Sequence, residues 1–405
     1  MPNKNWIKYC TKCLIPATRP GQTYDEKGVC NACKEFEFRK QVDWEARDRE
    51  LDTLLNQYRR TDGYYDCIVP VSGGKDSTCQ VIKMLEKGMH PLCVYAAVDK
   101  PSDIGKRNLE NMRQLGVDLV EVSTNPIARN KMDKISLMEI GDISWAENVA
   151  IFTIPVRIAV QMKIPLLIWG ENPQNEFGGP KEATHNHILD KRWLEEFGGL
   201  LGFENHHVVG REGITEKDMV QFNYPSDEEL KVAGVKGVFL GYFVPWDGYA
   251  HALLAQGYGF EMWPKSNEGA LANYEHMDNL HAGIHDYFKF IKLGFGRATD
   301  HASLHIRRGR LSRKHGLEIV KRNDGKFPWT YLETTLEEIL DDIDMSFEEF
   351  MQTCDKFTNK DLFLTDENGE LIRDKGFNLT KINYDNVDEA LMEAVDKQEV
   401  MSVNY

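Results

Sequence analysis

The feature that most constrains this chain is a short glycine-rich loop, Ser72-Gly73-Gly74-Lys75-Asp76-Ser77. The apolar run at residues 66–71 predicts a strand before the loop, and residues 78–86 predict a helix after it. Glycines let the backbone turn tightly, so that N–H groups and the amino terminus of the helix can face one anion. The serine hydroxyls and Lys75 add donors, and Asp76 adds a carboxylate suited to Mg²⁺. The sequence therefore predicts a phosphate-binding loop.

The loop does not follow the Walker A pattern, in which a glycine stands five residues before a Gly-Lys pair. No Gly-Lys pair of the sequence meets that requirement. A tight turn of small residues with a purely structural role is the alternative. It is the weaker one, because strand, loop and helix follow each other in the order that phosphate binding needs.

Alternating strand and helix patterns surround the loop. Strands are predicted at residues 92–98, 117–122, 164–169 and 238–243, and helices at residues 44–60, 107–115, 151–162, 274–293, 332–343 and 347–357. This alternation predicts an α/β core with a parallel sheet. Ligands of such sheets bind at the carboxyl ends of the strands, and Val98, which ends the second predicted strand, is a predicted ATP contact.

Four cysteines near the amino terminus form two CxxC pairs separated by 16 residues: Cys10, Cys13, Cys30 and Cys33. Two such pairs supply the four thiolates of a tetrahedral Zn²⁺ site, and their spacing lies in the zinc-ribbon range. An iron–sulfur cluster and a chance pairing remain open. Because four protein ligands leave no open position on the metal, the predicted role of the zinc is structural.

Polar residues follow two later strands of the predicted sheet and are interpreted as substrate contacts. Glu171 is predicted to be catalytic, and the predicted substrate-binding residues are Asn172, Asn175, Glu176, Trp246 and Asp247. An ordinary surface loop is the alternative for both segments.

A glycine-rich string at residues 294–301 is followed by a run of arginines. Dense arginine beside a nucleotide fold favours phosphate contacts, and Arg297 is predicted to bind ATP. The alternative is a solvated basic helix face that pairs with the acidic end of the chain.

Charge is unevenly distributed along the 405 residues, whose net charge is −15. Residues 331–405 hold 20 acidic and 6 basic side chains, so the rest of the chain is nearly neutral. An acidic segment on a neutral body argues against a broad nucleic-acid footprint. No apolar run is long enough to span a bilayer, and no secretory signal is apparent. The sequence therefore predicts a cytoplasmic location and no membrane partner.

The patterns predict five successive units. These are a zinc-ribbon module at 1–40, a helical connector at 41–60, a nucleotide-binding core at 61–265, a helical region covering substrate and nucleotide at 266–345, and an acidic C-terminal tail at 346–405.

The loop string resembles the pyrophosphate-binding loop of the adenylating ATP pyrophosphatases, also called the PP-loop superfamily. As an ordered set, the strings are similar to one subfamily, the N-acetyl sugar amidotransferases of bacterial surface-glycan (lipopolysaccharide O-antigen) biosynthesis. They lie at residues 10–13, 25–33, 72–77, 107–111, 151–155, 169–180, 241–247 and 296–303. The segment from Asp142 to Asn148 departs from the family pattern, which is richer in cysteine or histidine there, and its role is left open.

The resemblance implies a parallel-sheet core like that of the adenine-nucleotide α-hydrolases, with a helical C-terminal region. It implies ATP with Mg²⁺, held partly by Asp76, and a structural Zn²⁺. The implied reaction adenylates the acetamido oxygen of an N-acetylated, nucleotide-activated sugar and then lets ammonia displace AMP. Because the sequence shows no glutaminase nucleophile, the implied ammonia source is a separate glutaminase and synthase pair, similar to those of histidine biosynthesis.

Two other functions remain as alternatives. A tRNA-thiolating enzyme of the same superfamily would need reactive cysteines or an iron–sulfur cluster, whereas Cys67, Cys79 and Cys93 have the pattern of core residues. A zinc-ribbon adaptor with a decayed nucleotide fold conflicts with the intact pair Lys75 and Asp76.

Overall fold

The structure is a computed structural model that describes residues 7–179, 187–189, 200 and 202–382. Its strands are β1 (Cys67–Pro70), β2 (Pro91–Ala96), β3 (Asp118–Val122), β4 (Leu166–Trp169), β5 (Ile188–Leu189), β6 (Lys236–Phe239), β7 (Thr330–Tyr331) and β8 (Thr334–Thr335).

Helices surround these strands. They are α1 (Asn31–Arg39), α2 (Trp44–Tyr58), α3 (Lys75–Glu86), α4 (Asp103–Arg113), α5 (Pro126–Ile140), α6 (Trp145–Met162), α7 (Pro173–Phe177), α8 (Asp227–Ala233), α9 (Gly248–Gln256), α10 (Ala282–Leu293), α11 (Arg297–Arg307), α12 (Arg313–Asn323), α13 (Leu336–Asp342) and α14 (Phe347–Phe357). Short 3₁₀ helices lie at Asn205–His207, Leu240–Tyr242 and Lys360–Leu362.

The main sheet has the strand order β3-β2-β1-β4-β6-β5. All neighbouring strands pair in parallel except β5, which runs antiparallel to β6 at the edge. Ile68 at the centre of the sheet lies opposite Leu92 on one side and Leu167 on the other. This arrangement confirms the predicted α/β fold class, and it brings the carboxyl ends of β1, β2, β4 and β6 to one edge of the sheet.

Both faces of the sheet are covered, as parallel strands require. One face packs against α5 and α6 through residues such as Met132 and Trp145. The other packs against α2 and α3 through residues such as Leu55 and Val81. The strands β1, β2 and β4 are consequently buried along almost their whole length, which explains their continuous apolar sequence.

A third apolar core lies among α10, α13 and α14 and includes Phe288, Phe350 and Phe363. The segment that the sequence assigns to an acidic tail contributes to this core, since Phe350 and Phe363 are fully buried. Residues 383–405 of that segment lie outside the described residues.

The prediction of one helix over residues 274–293 is wrong for its first eight residues, because α10 begins at Ala282. The backbone of this segment pairs with the loop after β2 instead. Ser102 N donates to Asp278 O (3.1 Å), and Leu280 N donates to Lys100 O (2.9 Å). Residues 274–281 therefore bond to the loop after β2 instead of forming the i to i+4 hydrogen bonds of a helix. Part of this segment lines a cavity that is described below.

Helix α6 starts at Trp145, six residues before the predicted start. Its beginning lies in the segment Asp142–Asn148, whose role the sequence left open. Asp142 Oδ1 accepts a hydrogen bond from Ser144 N (2.9 Å), and this turn leads the chain into the helix. Among the described residues, no helix is both long and apolar enough to cross a membrane.

Candidate active site

The glycine-rich loop joins the end of β1 to the start of α3 and has the geometry that the sequence predicts. Gly73 has a φ of +79°, and a Cβ there would lie 2.6 Å from the backbone nitrogen of Leu109 in α4. Only glycine fits such a position. Gly74 is the N-cap of α3, and no side chain in the described ranges caps this helix terminus. The terminus can therefore offer its N–H groups to an anion.

Lys75 occupies the centre of a buried charge cluster. Its Nζ lies 2.7 Å from Asp76 Oδ2 and 2.8 Å from Glu275 Oε2, and the residue is 3% exposed. The other oxygen of Asp76 lies 2.7 Å from His251 Nδ1, so the histidine ring donates its Nδ1 proton to that carboxylate. Lys75 is thus held between two carboxylates at the start of α3, and His251 binds the first of them, Asp76.

Burial and charge act in opposite directions on this cluster. Burial lowers the pKa of Lys75, but Asp76 and Glu275 outweigh it and raise the pKa, so the lysine stays protonated. Burial raises the pKa of Asp76, but Lys75 and His251 outweigh it and lower the pKa, so the aspartate stays ionised. The pKa of Glu275 is raised, mainly by burial. An anionic ligand that draws Lys75 away would therefore leave Glu275 ready to take a proton.

A cavity of about 330 Å³ lies against the loop, and we call it the loop cavity. Its lining comes from six regions: residues 71–77, residues 96–108, the start of α6, Phe260, the segment 274–279 and the start of α10. Of the predicted ATP-binding residues, those that line it are Ser72, Gly73, Gly74, Lys75, Asp76, Ser77 and Val98. Ser144, Glu147 and Asn148 also line it. The segment from Asp142 to Asn148, whose role the sequence leaves undecided, is therefore part of the site.

A second cavity of about 140 Å³ lies on the other side of Lys75 and Asp76, and we call it the arginine cavity. The two cavities share Lys75, Asp76 and residues 274–276. The remaining lining of the arginine cavity is rich in charged and aromatic side chains: Glu176, Phe177, Trp246, Asp247, Tyr249, Arg297, His301, His305, Arg308 and Arg310.

Carboxylates hold the guanidinium groups of the arginine cavity in place. Asp247 pairs with Arg310 through both of its oxygens, and Arg308 Nε lies 3.5 Å from Asp247 Oδ2. Arg308 also lies 3.5 Å from Glu176 Oε1 and donates to Trp246 O (2.8 Å). Planar guanidinium groups fixed in this way suit a phosphate or carboxylate ligand.

Arg297 lies in the wall of the arginine cavity rather than in the loop cavity. Its guanidinium is held by buried Asp286 at 2.6 and 3.0 Å in a bidentate pair. This pair raises the pKa of Arg297 against the effect of burial and lowers that of Asp286. The predicted contact of Arg297 with ATP therefore remains a prediction, while the pair fixes the start of α11 beside His276.

Glu171, Asn172 and Asn175 lie behind the two cavities, whose described lining does not include them. Arg39 Nη1 lies 3.2 Å from Glu171 Oε2, and Asn175 Nδ2 donates to Glu171 Oε1 (3.1 Å). Asn172 caps α7 by accepting from Gln174 N (3.0 Å). In this structure, the three predicted site residues make hydrogen bonds that hold the segment leading to Glu176. Pro180, the last residue of the predicted string, lies outside the described residues.

The four amino-terminal cysteines converge in one buried cluster. The Sγ atoms of Cys10 and Cys33 are 3.8 Å apart, and those of Cys13 and Cys30 are 3.7 Å apart. A tetrahedral Zn²⁺ with Zn–S bonds of about 2.3 Å separates its sulfurs by about 3.8 Å. The amide groups of Cys13 and Cys33 each donate to the sulfur three residues earlier at 3.4 Å. The cluster therefore fits the predicted zinc site.

Two arginines contact the module that carries the four cysteines, and one of them also contacts Glu176 of the arginine cavity. Arg313 donates to the carbonyls of Cys13 and Cys10, each at 3.1 Å. Arg307 lies 3.8 Å from Cys13 Sγ with one nitrogen and donates to Glu176 O (2.6 Å) with another. The position of Glu176 therefore depends directly on the cysteine module.

Three residues that sequence reasoning missed complete the site: His251, Glu275 and His276. His251 contacts Asp76, while Glu275 and His276 lie where the two cavities meet. His251 was missed because α9 was not predicted. The other two were missed because residues 274–281 have helix-like spacing although their backbone pairs elsewhere.

A parallel sheet with a glycine-rich phosphate loop after its central strand defines a nucleotide-binding α/β protein. Residues 268–376 match the family described as LPS biosynthesis protein WbpG-like, C-terminal domain. This region is therefore similar to the C-terminal domain of lipopolysaccharide biosynthesis proteins, which agrees with the resemblance that the sequence motifs carry. It includes α10 to α14 and the arginines that line the arginine cavity.

Two further similarities are more limited. The uncharacterized protein MJ1599 of Methanocaldococcus jannaschii is 24% identical over 132 residues, which make up 30% of this chain and 47% of that protein, so the alignment spans about half of its relative. The NMN synthetase of Francisella tularensis is 13% identical with a TM-score of 0.26, and the match covers 48% of this chain and 94% of that one. The fold assignment rests on the strand order and the loop geometry described above.

Proposed function

We propose that this chain is an ATP-dependent, AMP-forming amidotransferase that acts on an N-acetylated, nucleotide-activated sugar in lipopolysaccharide or other surface-glycan biosynthesis. It replaces the acetamido oxygen with nitrogen from ammonia and gives an acetamidino sugar. The observation that carries the proposal is the meeting of the two cavities at Lys75 and Asp76.

The loop cavity supplies what an ATP triphosphate needs. The uncapped amino terminus of α3 and the buried Lys75 offset negative charge on departing pyrophosphate. Asp76 is the residue that would hold Mg²⁺, which supplies further charge stabilisation when bound. Val98 and the segment 274–279 form the opposite wall, where the nucleoside would lie.

The arginine cavity suits an acceptor with both phosphates and hydroxyl groups. Arg308 and Arg310 are preorganised by Asp247, so they can bind a diphosphate without losing much conformational freedom. Glu176 and Trp246 offer a hydrogen-bond partner and an aromatic face of the kind that sugars contact. The acetamido group of such an acceptor would reach the α-phosphate across Lys75 and Asp76.

The reaction proceeds in two balanced steps. First, the amide oxygen attacks the α-phosphorus of ATP, and the bond to the bridging oxygen breaks with release of pyrophosphate. Ammonia then attacks the amide carbon, and AMP departs carrying the former amide oxygen. Adenylation is needed because AMP is a good leaving group, whereas the oxygen of an amide is a poor one. One ATP is converted to AMP and pyrophosphate for each nitrogen inserted.

Ammonia is proposed to come from a partner, a glutaminase and synthase pair similar to those of histidine biosynthesis. We expect ammonium at high concentration to support turnover by this chain alone, because NH₃ diffuses into the site. Glutamine alone should support none, and glutamine with the partner pair should restore turnover.

The sharpest test follows the oxygen atom. A nucleotide-activated sugar labelled with ¹⁸O in its acetamido group is incubated with ATP, ammonium and the chain, and AMP is examined by mass spectrometry. The proposal expects AMP to gain about two mass units and the sugar to lose about one unit relative to its unlabelled amide form. Unlabelled AMP, or ADP as the product, would contradict it.

The tRNA-thiolating alternative has less support in the geometry. Cys67, Cys79, Cys93 and Cys354 are buried, and in the described ranges none of them lines either cavity. Burial raises the pKa of Cys79 and Cys93 to about 12, so their thiols stay protonated at neutral pH. Sulfur transfer to tRNA, with no change in any N-acetylated sugar, would favour that alternative.

A further inference from the structure

A second group of potential metal ligands lies apart from the cysteines. Asp99 follows β2, Asp133 lies in α5, and His281 precedes α10, yet their ligand atoms all come within 4.8 Å of one another. The side chains of both aspartates are 0% exposed, and that of His281 is 2% exposed. Three distant parts of the chain thus bring two carboxylates and an imidazole together in the interior.

Hydrogen bonding does not explain this cluster. All four carboxylate oxygens of Asp99 and Asp133, together with His281 Nδ1, are buried without a hydrogen-bond partner among the described residues. Buried polar atoms are rarely left in this condition, because the loss of hydration is costly unless a partner replaces it. Asp99 Oδ1 has Arg129 as an ion-pair partner, which leaves Asp99 Oδ2, both oxygens of Asp133 and His281 Nδ1 without one. These four atoms indicate that a partner belongs among them.

The distances within the cluster suit ligands of one ion. His281 Nδ1 lies 3.7 Å from Asp133 Oδ2 and 3.9 Å from Asp99 Oδ2. These separations are too long for hydrogen bonds. Two donors each about 2.1 Å from a shared metal are separated by about 3.4–4.2 Å, depending on the angle between the bonds. The observed spacing therefore leaves room for a metal ion between the imidazole and the carboxylates.

The charge of the cluster also favours a divalent cation. Asp99, Asp133 and nearby half-buried Glu147 carry three negative charges when ionised, and Arg129 supplies one positive charge through its contact with Asp99. A divalent cation would balance the remaining two charges.

The surroundings resemble those of metal sites in two further respects. Arg129 contacts Asp99 on the oxygen that does not face His281, and such outer contacts orient carboxylate ligands. Asp99 and Arg129 also line a cavity of about 560 Å³ among β3, α4 and α5, so the cluster lies beside a cavity from which an ion could enter.

We propose that Asp99, Asp133 and His281 form a binding site for a divalent first-row metal ion such as Mn²⁺ or Zn²⁺, separate from the cysteine site and from Asp76. The mixed oxygen and nitrogen donors favour such ions over Ca²⁺. Val98 and Asn279, beside two of the ligands, line the loop cavity. The ion therefore acts as a structural link that holds the end of β2, α5 and the segment 274–281 in register around that cavity.

The test uses Mn²⁺, which thiolates bind poorly. The full chain, free of nucleotide and with zinc in its cysteine site, is titrated with Mn²⁺ and followed by electron paramagnetic resonance. We expect one bound Mn²⁺ per chain, with ¹⁴N coupling from an imidazole. Asp133→Asn and His281→Gln should weaken Mn²⁺ binding about tenfold or more. Asp76→Asn, the matched control in the nucleotide site, should leave the affinity within about twofold.

Two results would overturn the proposal. One is the absence of Mn²⁺ binding up to millimolar concentration together with only one zinc per chain in metal analysis. The other is Mn²⁺ binding that Asp76→Asn removes and Asp133→Asn preserves, which would assign the ion to the nucleotide site. If the variants at Asp133 and His281 do not fold, the ¹⁴N coupling in the wild-type and Asp76→Asn proteins decides the question, because its absence contradicts a histidine ligand.

Discussion

The loop cavity and the arginine cavity share the residues around Lys75 but are built in different ways. One wall of the loop cavity comes from a continuous stretch of backbone, residues 71–77, whose glycines and helix terminus have a geometry that suits an anion without help from distant side chains. The arginine cavity depends on side chains from α7, α9 and α11, which ion pairs and the cysteine module hold together. The comparison teaches that a backbone site tolerates changes elsewhere in the molecule, whereas a site built from side chains does not.

The largest expected effect is at the boundary of the two cavities. Lys75→Met removes the cation that is proposed to offset charge on the departing pyrophosphate, and we expect AMP formation to fall about 10²–10³-fold or more. Steady-state assays of AMP release measure the loss, and circular dichroism checks the fold. The control is Lys83→Met on the same helix, where a half-exposed lysine pairs with Asp48 at 3.5 Å. Near wild-type turnover of Lys75→Met would show that the loop cavity works without this charge.

The second prediction separates the two cavities through the cysteine module. Cys10→Ser combined with Cys30→Ser should abolish zinc binding and lower the melting temperature by on the order of 10 °C. Because Arg307 links Cys13 to the backbone of Glu176, the KM for the sugar should rise more than the KM for ATP. Metal analysis, thermal unfolding and kinetics measure the three quantities. Cys93→Ala, a core control, should keep its zinc, and equal changes in both KM values would contradict the proposed separation.

The third prediction concerns the support of the arginines. Asp247→Asn weakens the hold on Arg308 and Arg310, and we expect the KM for the nucleotide-activated sugar to rise about tenfold with little change in the KM for ATP. Glu261→Gln is the matched control, because Glu261 pairs with Arg107 on the exposed surface. An effect on ATP alone would place the triphosphate, rather than the acceptor, against these arginines.

The smallest effect is a pH dependence of stability at Glu176. Burial, with a contribution from Glu171, raises the pKa of Glu176 from 4.5 to about 7. The folded protein therefore binds this proton more tightly than the unfolded chain does, and the contribution of Glu176 to stability decreases as the pH rises from about 4.5 to 7. Glu176→Gln should remove this decrease, so that the variant gains on the order of 1–3 kcal/mol relative to wild type between pH 5 and 7.5. Urea unfolding at several pH values measures the difference. As a control, Glu110→Gln at an exposed position should show no pH-dependent difference in unfolding free energy from wild type. A Glu176→Gln variant with the wild-type pH dependence would contradict the raised pKa.

The sequence predicts the loop cavity better than the arginine cavity for a physical reason. The string at residues 72–77 encodes its function locally, since turn, helix terminus and charges all lie within six residues. The cysteine pairs are equally local. In contrast, the contact of His251 with Asp76 and the pairing of Asp247 with Arg310 join residues far apart in the chain. The local hydrophobic pattern of the sequence cannot predict such contacts, because they depend on how α9 and α11 pack.

Two misread segments show the same limit. Residues 274–281 have a helix-like spacing of apolar residues, but hydrogen bonds to residues 100 and 102 determine their path. Helix α5 was not predicted, although Pro126 at its first position and Gly141 after its end are the usual signals of helix ends. Helix α5 lies between two cores: Met132 packs against the sheet, and Leu137 belongs to the third core. The polar residues that it buries, among them Asp133, blur its helical pattern.

The position of Lys75 between Asp76 and Glu275 has a consequence for the order of events at the site. The lysine is shared by two carboxylates at nearly equal distances of 2.7 and 2.8 Å. Phosphate oxygens that attract Lys75 would leave Glu275 without its cation at the boundary of the arginine cavity. We therefore expect the affinities for nucleotide and acceptor to depend on each other, and such thermodynamic coupling acts equally in both directions. Glu275→Gln should weaken this coupling, because an uncharged amide competes less strongly for the lysine.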